Sequence, residues 1–487
     1  MKESLNHNIV NILIEAWHSE DVNYCHWKSI DHLEASYDGL TDLDILISAK
    51  DAKKAEKIAI SLGFVKFYTN PLRTYPGVSD LILYDKTKDL FIHLHLHYQL
   101  VLADRWVKGF RFPIEEEILK RKVYMEEFQT WIINPVDEFR MFVCRMPLKF
   151  KNPFQKQKVL DEIKDIKQRI ISVDDFDKYA NEYPISFISL SKNLYTGKYD
   201  NTLLIKQVRE DMYFYYLRMS KVRFKILSFI RYSYRIFVEI NRRKLNNYSF
   251  GRRRFFYRGV TVAFIGMDGA GKTSAIERNK KFFAKQMDVK SVFLGSGQSG
   301  APWYRKIIFK LLGTKAKFNK KSDNTKSDDK LIKKYPWYYI FWHLLVVRTK
   351  IKRLNQVFEY NSSCGLVFVD RWPQDTIKGT FDGIRFQNIQ IDNFLEKWLQ
   401  KLEQVMIKKA DIYSPDIVLR FNVSPENSLK RKPEDLTLEQ AKEAELNIKK
   451  IVWNSSTKVI DINSNLSIEE VDKEVRINIW NMIQEKN

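Results

Sequence analysis

Val260-Thr261-Val262-Ala263-Phe264-Ile265-Gly266-Met267-Asp268-Gly269-Ala270-Gly271-Lys272-Thr273-Ser274 decides the fold of the second half of this 487-residue chain. An apolar, β-branched run enters a glycine-rich turn, and the residues after Lys272 read as the first turns of a helix. G-x-x-x-x-G-K-T therefore stands in a strand-loop-helix context. Gly266, Gly269 and Gly271 accept backbone angles and close approaches that a Cβ blocks, so successive N–H groups can aim at one anion. The helix N-terminus adds its partial positive charge. The spacing predicts a phosphate-binding loop from Gly266 through Ser274, including Asp268 and Ala270. Lys272 reaches the β- and γ-phosphates of ATP in this reading, and the Thr273 hydroxyl faces Mg²⁺.

Working outward, the chain is too long for one core and suggests two or three domains. It is 44% hydrophobic and carries a formal net charge of +22, which favours polyanionic partners such as nucleotides, nucleic acid or an anionic membrane face. Cys25, Cys144 and Cys364 are far apart and form no C-x-x-C pair, so neither a zinc site nor a disulfide framework is indicated by the cysteines. The amino-terminal residues lack a signal-peptide core, and no apolar run approaches a bilayer span. The expected location is the cytoplasm.

Downstream of the loop, Ser291-Val292-Phe293-Leu294-Gly295 reads as a second parallel strand, and the lysine-rich tract from Gly313 to Lys334 as a surface loop. Gly365-Leu366-Val367-Phe368-Val369-Asp370-Arg371-Trp372 is an apolar strand ending in an acid. Its carboxyl end is where α/β sheets place ligands, so Asp370 is a second candidate toward Mg²⁺ and Arg371 can grip a phosphate. Trp303, Trp337 and Trp342 read as core tryptophans rather than stacking platforms.

Upstream, Ile9, Ile12, Leu13 and Ala16 recur at helical spacing. Thr41-Asp42-Leu43-Asp44-Ile45-Leu46-Ile47 puts Asp42 and Asp44 on one face of a strand, where two carboxylates can share a divalent metal. Leu90-Phe91-Ile92-His93-Leu94-His95-Leu96-His97 places three histidines on one face. With Asp42 and Asp44 they can form a metal or proton-transfer site. Because such a triplet spans about 13 Å and cannot place all three rings on one ion, the favoured reading is the polar face of a half-buried strand, satisfied by neighbours or water. From Pro135 to about Tyr215 the pattern is helical. Leu217 to Arg258 holds thirteen Lys or Arg against the single acid Glu239, interleaved with aromatics. This basic amphipathic stretch suits either packing on a neighbouring domain or peripheral contact with an anionic membrane, and nucleic acid is disfavoured because no base-reading module accompanies it.

Two resemblances attach to these motifs. Lys28-Ser29 followed by Asp42-Leu43-Asp44-Ile45-Leu46-Ile47 resembles the nucleotidyltransferase superfamily over roughly the first 130 residues. Lys28-Ser29 stands where Gly-Ser is common, and histidines stand where a third carboxylate is used. Gly266 through Thr273, Asp370-Arg371-Trp372, Ser414-Pro415-Asp416 with its following strand to Glu426, Lys430-Arg431-Lys432, and Val459-Ile460-Asp461-Ile462-Asn463 together resemble thymidylate kinase from Gly259 almost to the end. That second resemblance implies ATP and Mg²⁺ at Lys272 and Thr273, Asp268 on an acceptor hydroxyl, Asp370 acting through the metal, Arg371 on acceptor phosphate, and Arg431 as the lid cation.

The resulting expectation is an α/β chain. Residues 1–130 form an α+β nucleotidyltransferase-like domain, 131–215 its helical extension, 216–258 a basic connector, and 259–487 a P-loop NTPase fold with a parallel sheet of the nucleoside-monophosphate-kinase kind. The expected activity is phosphoryl transfer from ATP to a phosphorylated small-molecule acceptor, with a homodimer as a possible assembly. The alternatives are nucleotidyl transfer through Asp42 and Asp44, or an ATP-binding regulatory scaffold at a membrane surface.

Overall fold

The computed structural model describes residues 8–104, 106–295, 337–377, 381–386, 394–433 and 437–487. The chain divides into two compact units, Met1–Asn246 and Asn247–Asn487. The tract 313–334, Trp303 and the stretch that follows Gly295 lie outside the described residues.

The first unit is α+β. Its strands are β1 (Tyr24–His26), β2 (Leu43–Ile47), β3 (Val65–Thr69), β4 (Val78–Asp85), β5 (Leu90–His97), β6 (Leu100–Leu102), β7 (Phe110–Phe112), β8 (Val123–Met125) and β9 (Thr130–Ile132). Within this unit the main sheet runs β3-β4-β5-β2-β1-β9-β8, and β6 pairs with β7. β5 is parallel to β2, pairing His95 with Asp44, and antiparallel to β4, pairing His95 with Asp80. One strand thus meets two carboxylate-bearing neighbours at the same residue. The opening helix, Ile9–Ser19, is capped by Asn8, whose side chain accepts from Val10 N. Val10, Leu13, Ile14 and Trp17 are its buried residues. Of the positions read at helical spacing only Leu13 is among them, while Ile9 and Ala16 are half-buried and Ile12 is exposed, so the helix forms but its core face is turned from the one expected.

Helices then dominate from Pro135–Lys149 onward. The basic stretch read as a connector forms a helix over Lys221–Lys244 that falls inside the first unit. The reason is aromatic: Phe224 is buried and stacks edge-on against Phe110 and Tyr213, while Tyr232 meets Trp106. The helix's outward residues, among them Val222, Ile226 and Phe229, remain exposed.

The second unit is built on a parallel sheet. A short strand, β10 (Arg253–Phe255), precedes β11 (Val260–Gly266), β12 (Val289–Phe293), β13 (Leu366–Asp370), β14 (Ile417–Asn422) and β15 (Lys458–Asn463). The order is β12-β13-β11-β14-β15, with every pairing parallel. β11 and β13 are buried along their whole length, which is why they read as continuous apolar runs rather than alternating ones. The chain leaves β11 toward one edge of the sheet and β13 toward the other. A crevice therefore opens at the carboxyl ends of these two neighbours. Helix Lys272–Phe283 is tied to the final helix, Ile468–Lys486, where Arg278 and Asn279 both donate to Asp472. Trp337, read as a core tryptophan, opens helix Trp337–Ser362 and is exposed. Among the described residues no helix is long and apolar enough to cross a membrane.

Candidate functional site

The turn after β11 holds its shape through glycines. Gly266 (φ +155°), Gly269 (φ +82°) and Gly271 (φ +83°) all have positive φ, and a Cβ on Gly269 would stand 2.9 Å from the Ser428 carbonyl oxygen. Helix Lys272–Phe283 starts directly at Gly271, so the free N–H groups of its first turn face the crevice. Ala270 is buried beneath the loop, and Thr273 and Ser274 are exposed on the first turn.

Lys272 folds back into the loop. Its Nζ donates to the carbonyls of Gly266 (2.8 Å) and Met267 (2.7 Å), and the side chain is buried. Burial, with Arg371 adding to it, pushes its ammonium down to about 8. A cation held against its own desolvation gains when a polyanion arrives. Thr273 Oγ1 donates to Asp370 Oδ2 at 2.8 Å, joining the helix start to the end of β13. Burial raises the Asp370 carboxyl, against the opposing pull of Thr273, Lys272 and Arg371. A carboxylate and a hydroxyl this close form an all-oxygen pair suited to a hard divalent cation.

Arg371 follows with a left-handed backbone, φ +70°. Its guanidinium donates to Asp268 Oδ1 at 2.6 Å and lies 3.7 Å from Asp382. Asp382 is itself paired with buried Lys350 at 2.8 Å. Asp268 thus faces Arg371 across the loop. Ser428 Oγ donates to the Asp268 carbonyl (2.7 Å), which ties helix Pro425–Arg431 to the loop. Arg431 ends that helix, donating to the carbonyls of Ser464 (2.9 Å) and Gly269 (3.4 Å). Beside these groups, Ile265, Arg371, Trp372, Asp382 and Trp453 line a small pocket. The Trp453 indole N–H is buried there without an acceptor.

The sequence-derived residues Gly266, Asp268, Gly269, Lys272, Thr273, Asp370, Arg371 and Arg431 therefore sit around one crevice. Asp382, Lys350 and Ser428 join them without any motif to announce them. Their chain distance from the loop hides them; only the sheet order brings them near.

The first unit gathers a second cluster. Asp44 Oδ1 takes Lys28 Nζ (2.9 Å), His95 Nδ1 (3.2 Å) and His97 Nε2 (3.0 Å). Burial works to raise this carboxyl, and Lys28 and the two histidines hold it well below the usual range. Asp42 is held at about 2 because contacts with His93 and His95 outweigh its burial. Burial drives His97 down to about 3, so it is neutral at pH 7. The three rings do not converge on one point, but neither are they strung out as spacing suggests. His93 and His95 centroids are 4.0 Å apart and His95 and His97 6.1 Å. The strand is central and His93 and His97 are buried, and the polar face is satisfied by neighbours, the carboxylates of Asp42, Asp44 and Asp80. Asp80 on β4 completes the cluster; no spacing rule links it to Asp42 and Asp44, and only its register opposite His95 reveals it.

No protein-family model matches the chain. Two curated proteins are similar to part of it: the uncharacterized ATP-binding protein YghR of Escherichia coli K12, and the protein of the same name from E. coli O6:H1 strain CFT073. Each is 25% identical over 217 residues, covering 43% of this chain and 82% of the relative. Fold and likeness together define an α/β chain with a parallel sheet, distantly similar to an ATP-binding protein.

Proposed function

We propose that the chain binds ATP with Mg²⁺ and transfers the γ-phosphoryl group to a phosphorylated acceptor, with nucleoside monophosphates, dTMP first, as the acceptor class. The observation that carries this reading is the convergence of Lys272, Thr273, Asp370 and Arg371 at the carboxyl ends of β11 and β13. The Thr273–Asp370 oxygen pair fits Mg²⁺, which when bound neutralises charge on the phosphate oxygens. The ATP-binding name of the similar E. coli proteins agrees with it.

The chain's own groups do the rest. The Lys272 ammonium exchanges two loop carbonyls for phosphate oxygens, recovering the charge stabilisation that burial denied it. Arg371, steadied by Asp268 and Asp382, presents a planar fork to the acceptor's phosphate. Arg431 rides on a helix anchored to the loop through Ser428, so it can approach the transferring group only as that helix and the loop adjust together. Such positioning and charge stabilisation supply most of the catalysis in phosphoryl transfer.

The test is product analysis of the full chain with Mg-ATP and a panel of nucleoside monophosphates and sugar phosphates, following ADP and pyrophosphate separately. Acceptor-dependent ADP is expected, falling by about 10²–10³-fold or more in Lys272→Ala with folding retained. Full activity in Lys272→Ala, or pyrophosphate as the product, would overturn the reading.

A further inference from the structure

We infer that Asp42, His93 and His95 form a divalent transition-metal site in the first unit, with Asp80 as the carboxylate behind both imidazoles. This goes beyond the phosphoryl-transfer reading and does not depend on it. The geometry is two-sided. On one side His93 Nδ1 lies 2.7 Å from Asp42 Oδ1 and His95 Nδ1 lies 3.8 Å from Asp42 Oδ2. On the other side both Nε2 atoms lie 2.9 Å from the same Asp80 Oδ1. His93 thus aims Nδ1 at Asp42, His95 holds Nδ1 between Asp44 (3.2 Å) and Asp42, and both rings turn their far nitrogens to Asp80. Metal-bound histidines characteristically donate their second N–H to a carboxylate, which fixes ring orientation and strengthens the ligand.

The three ligand atoms lie within 4.8 Å of one another, close enough for one ion to touch all three after small side-chain adjustments. Access is provided by Asp42, whose side chain is 52% exposed while that of His93 is 4% exposed. The neighbouring triad of Asp44, His95 and His97 is the weaker choice, because Lys28 already neutralises Asp44 at 2.9 Å. Two imidazoles and one carboxylate suit Zn²⁺, Co²⁺ or Fe²⁺ over Mg²⁺, which prefers oxygen. Three protein ligands also leave coordination positions open toward solvent on the Asp42 side.

The measurement is calorimetric titration of Zn²⁺ into the metal-free, untagged full chain without nucleotide, in excess Mg²⁺ to satisfy the Thr273–Asp370 oxygens. One Zn²⁺ per chain is expected. Asp80→Asn weakens it about 10–100-fold, the double variant His93→Ala/His95→Ala abolishes it, and Thr273→Ala leaves it unchanged. Should the double variant fail to fold by circular dichroism, Asp42→Asn at the exposed position decides in its place and must also lose tight binding. Absence of a Zn²⁺ event in the parent chain, or its survival in the folded ligand variants, overturns the assignment.

Discussion

Gly269 and Gly271 share a left-handed backbone, at φ +82° and +83°, but not a neighbourhood. A Cβ on Gly269 meets the Ser428 backbone oxygen at 2.9 Å, whereas one on Gly271 meets nothing within 4 Å. Gly271→Ala therefore incurs only conformational strain, about 1–2 kcal/mol. Gly269→Ala adds a clash with backbone that no side-chain rotation relieves, and it pushes the helix carrying Arg431 off the loop. Urea unfolding of both variants should rank Gly269→Ala as the more destabilised, and the reverse order would refute the loop–helix contact. A second residue-scale expectation concerns Glu56, whose carboxylate accepts from Lys66, Ser79 and Tyr98. Burial works to raise its carboxyl, and these three bonds together bring it below the ordinary 4.5. A lowered carboxyl contributes stability that is present above the unfolded-state value and is lost as pH falls through the folded one. Glu56→Gln should thus cost about 1.5–3 kcal/mol at neutral pH. Its deficit against the parent chain should shrink in the acid range, and a pH-independent deficit would contradict the linkage.

At the scale of elements, helix Lys221–Lys244 shows how composition misdirects. Its charge and its position between two motif-bearing regions suggest a connector, yet Phe224 fills a slot formed by Phe110, Tyr213 and the side-chain-free Gly109, where a Cβ would stand 2.9 Å from the Phe224 ring. Phe224→Ala should destabilise the first unit by about 3–5 kcal/mol, read as a lowered denaturation midpoint. A change within error would mean the helix is held by its charges instead. The same comparison explains what the sequence discloses. β11, its loop and the helix after it are continuous in the chain, so the Gly266–Ser274 reading needs only local rules. Asp370 is legible because an apolar run ends at it. Asp382, Lys350 and Ser428 come to the crevice through crossovers, and Asp80 meets His95 only through strand register. Spacing arguments do not reach contacts of that kind. For the histidine strand, spacing counted only distance along β5 and missed that side chains on a central strand can lean together when carboxylates on both neighbouring strands draw them in.

At the scale of the whole molecule, two apolar clusters can be told apart among the described residues. One apolar cluster draws its residues from Val10 to Phe224 and another from Ala263 to Ile451. Each unit also has its own polar centre, oxygen-lined at Thr273 and Asp370 and nitrogen-rich at His93 and His95. Ligands that bind only the folded form raise stability by mass action, and in a chain with two cores that rise stays with the unit that binds. Scanning calorimetry should accordingly resolve two transitions. At 100 times its dissociation constant, Mg-ATP adds about 2.7 kcal/mol to one of them, a shift of roughly 5–10 °C. Zn²⁺ should move the other. Lys272→Ala should cancel the first shift and spare the second, while Asp42→Asn should do the opposite. If both ligands move a single common transition, or if either variant cancels both shifts, the centres are not independent. The chain would then unfold as one cooperative body, with the separation of cores carrying no energetic meaning.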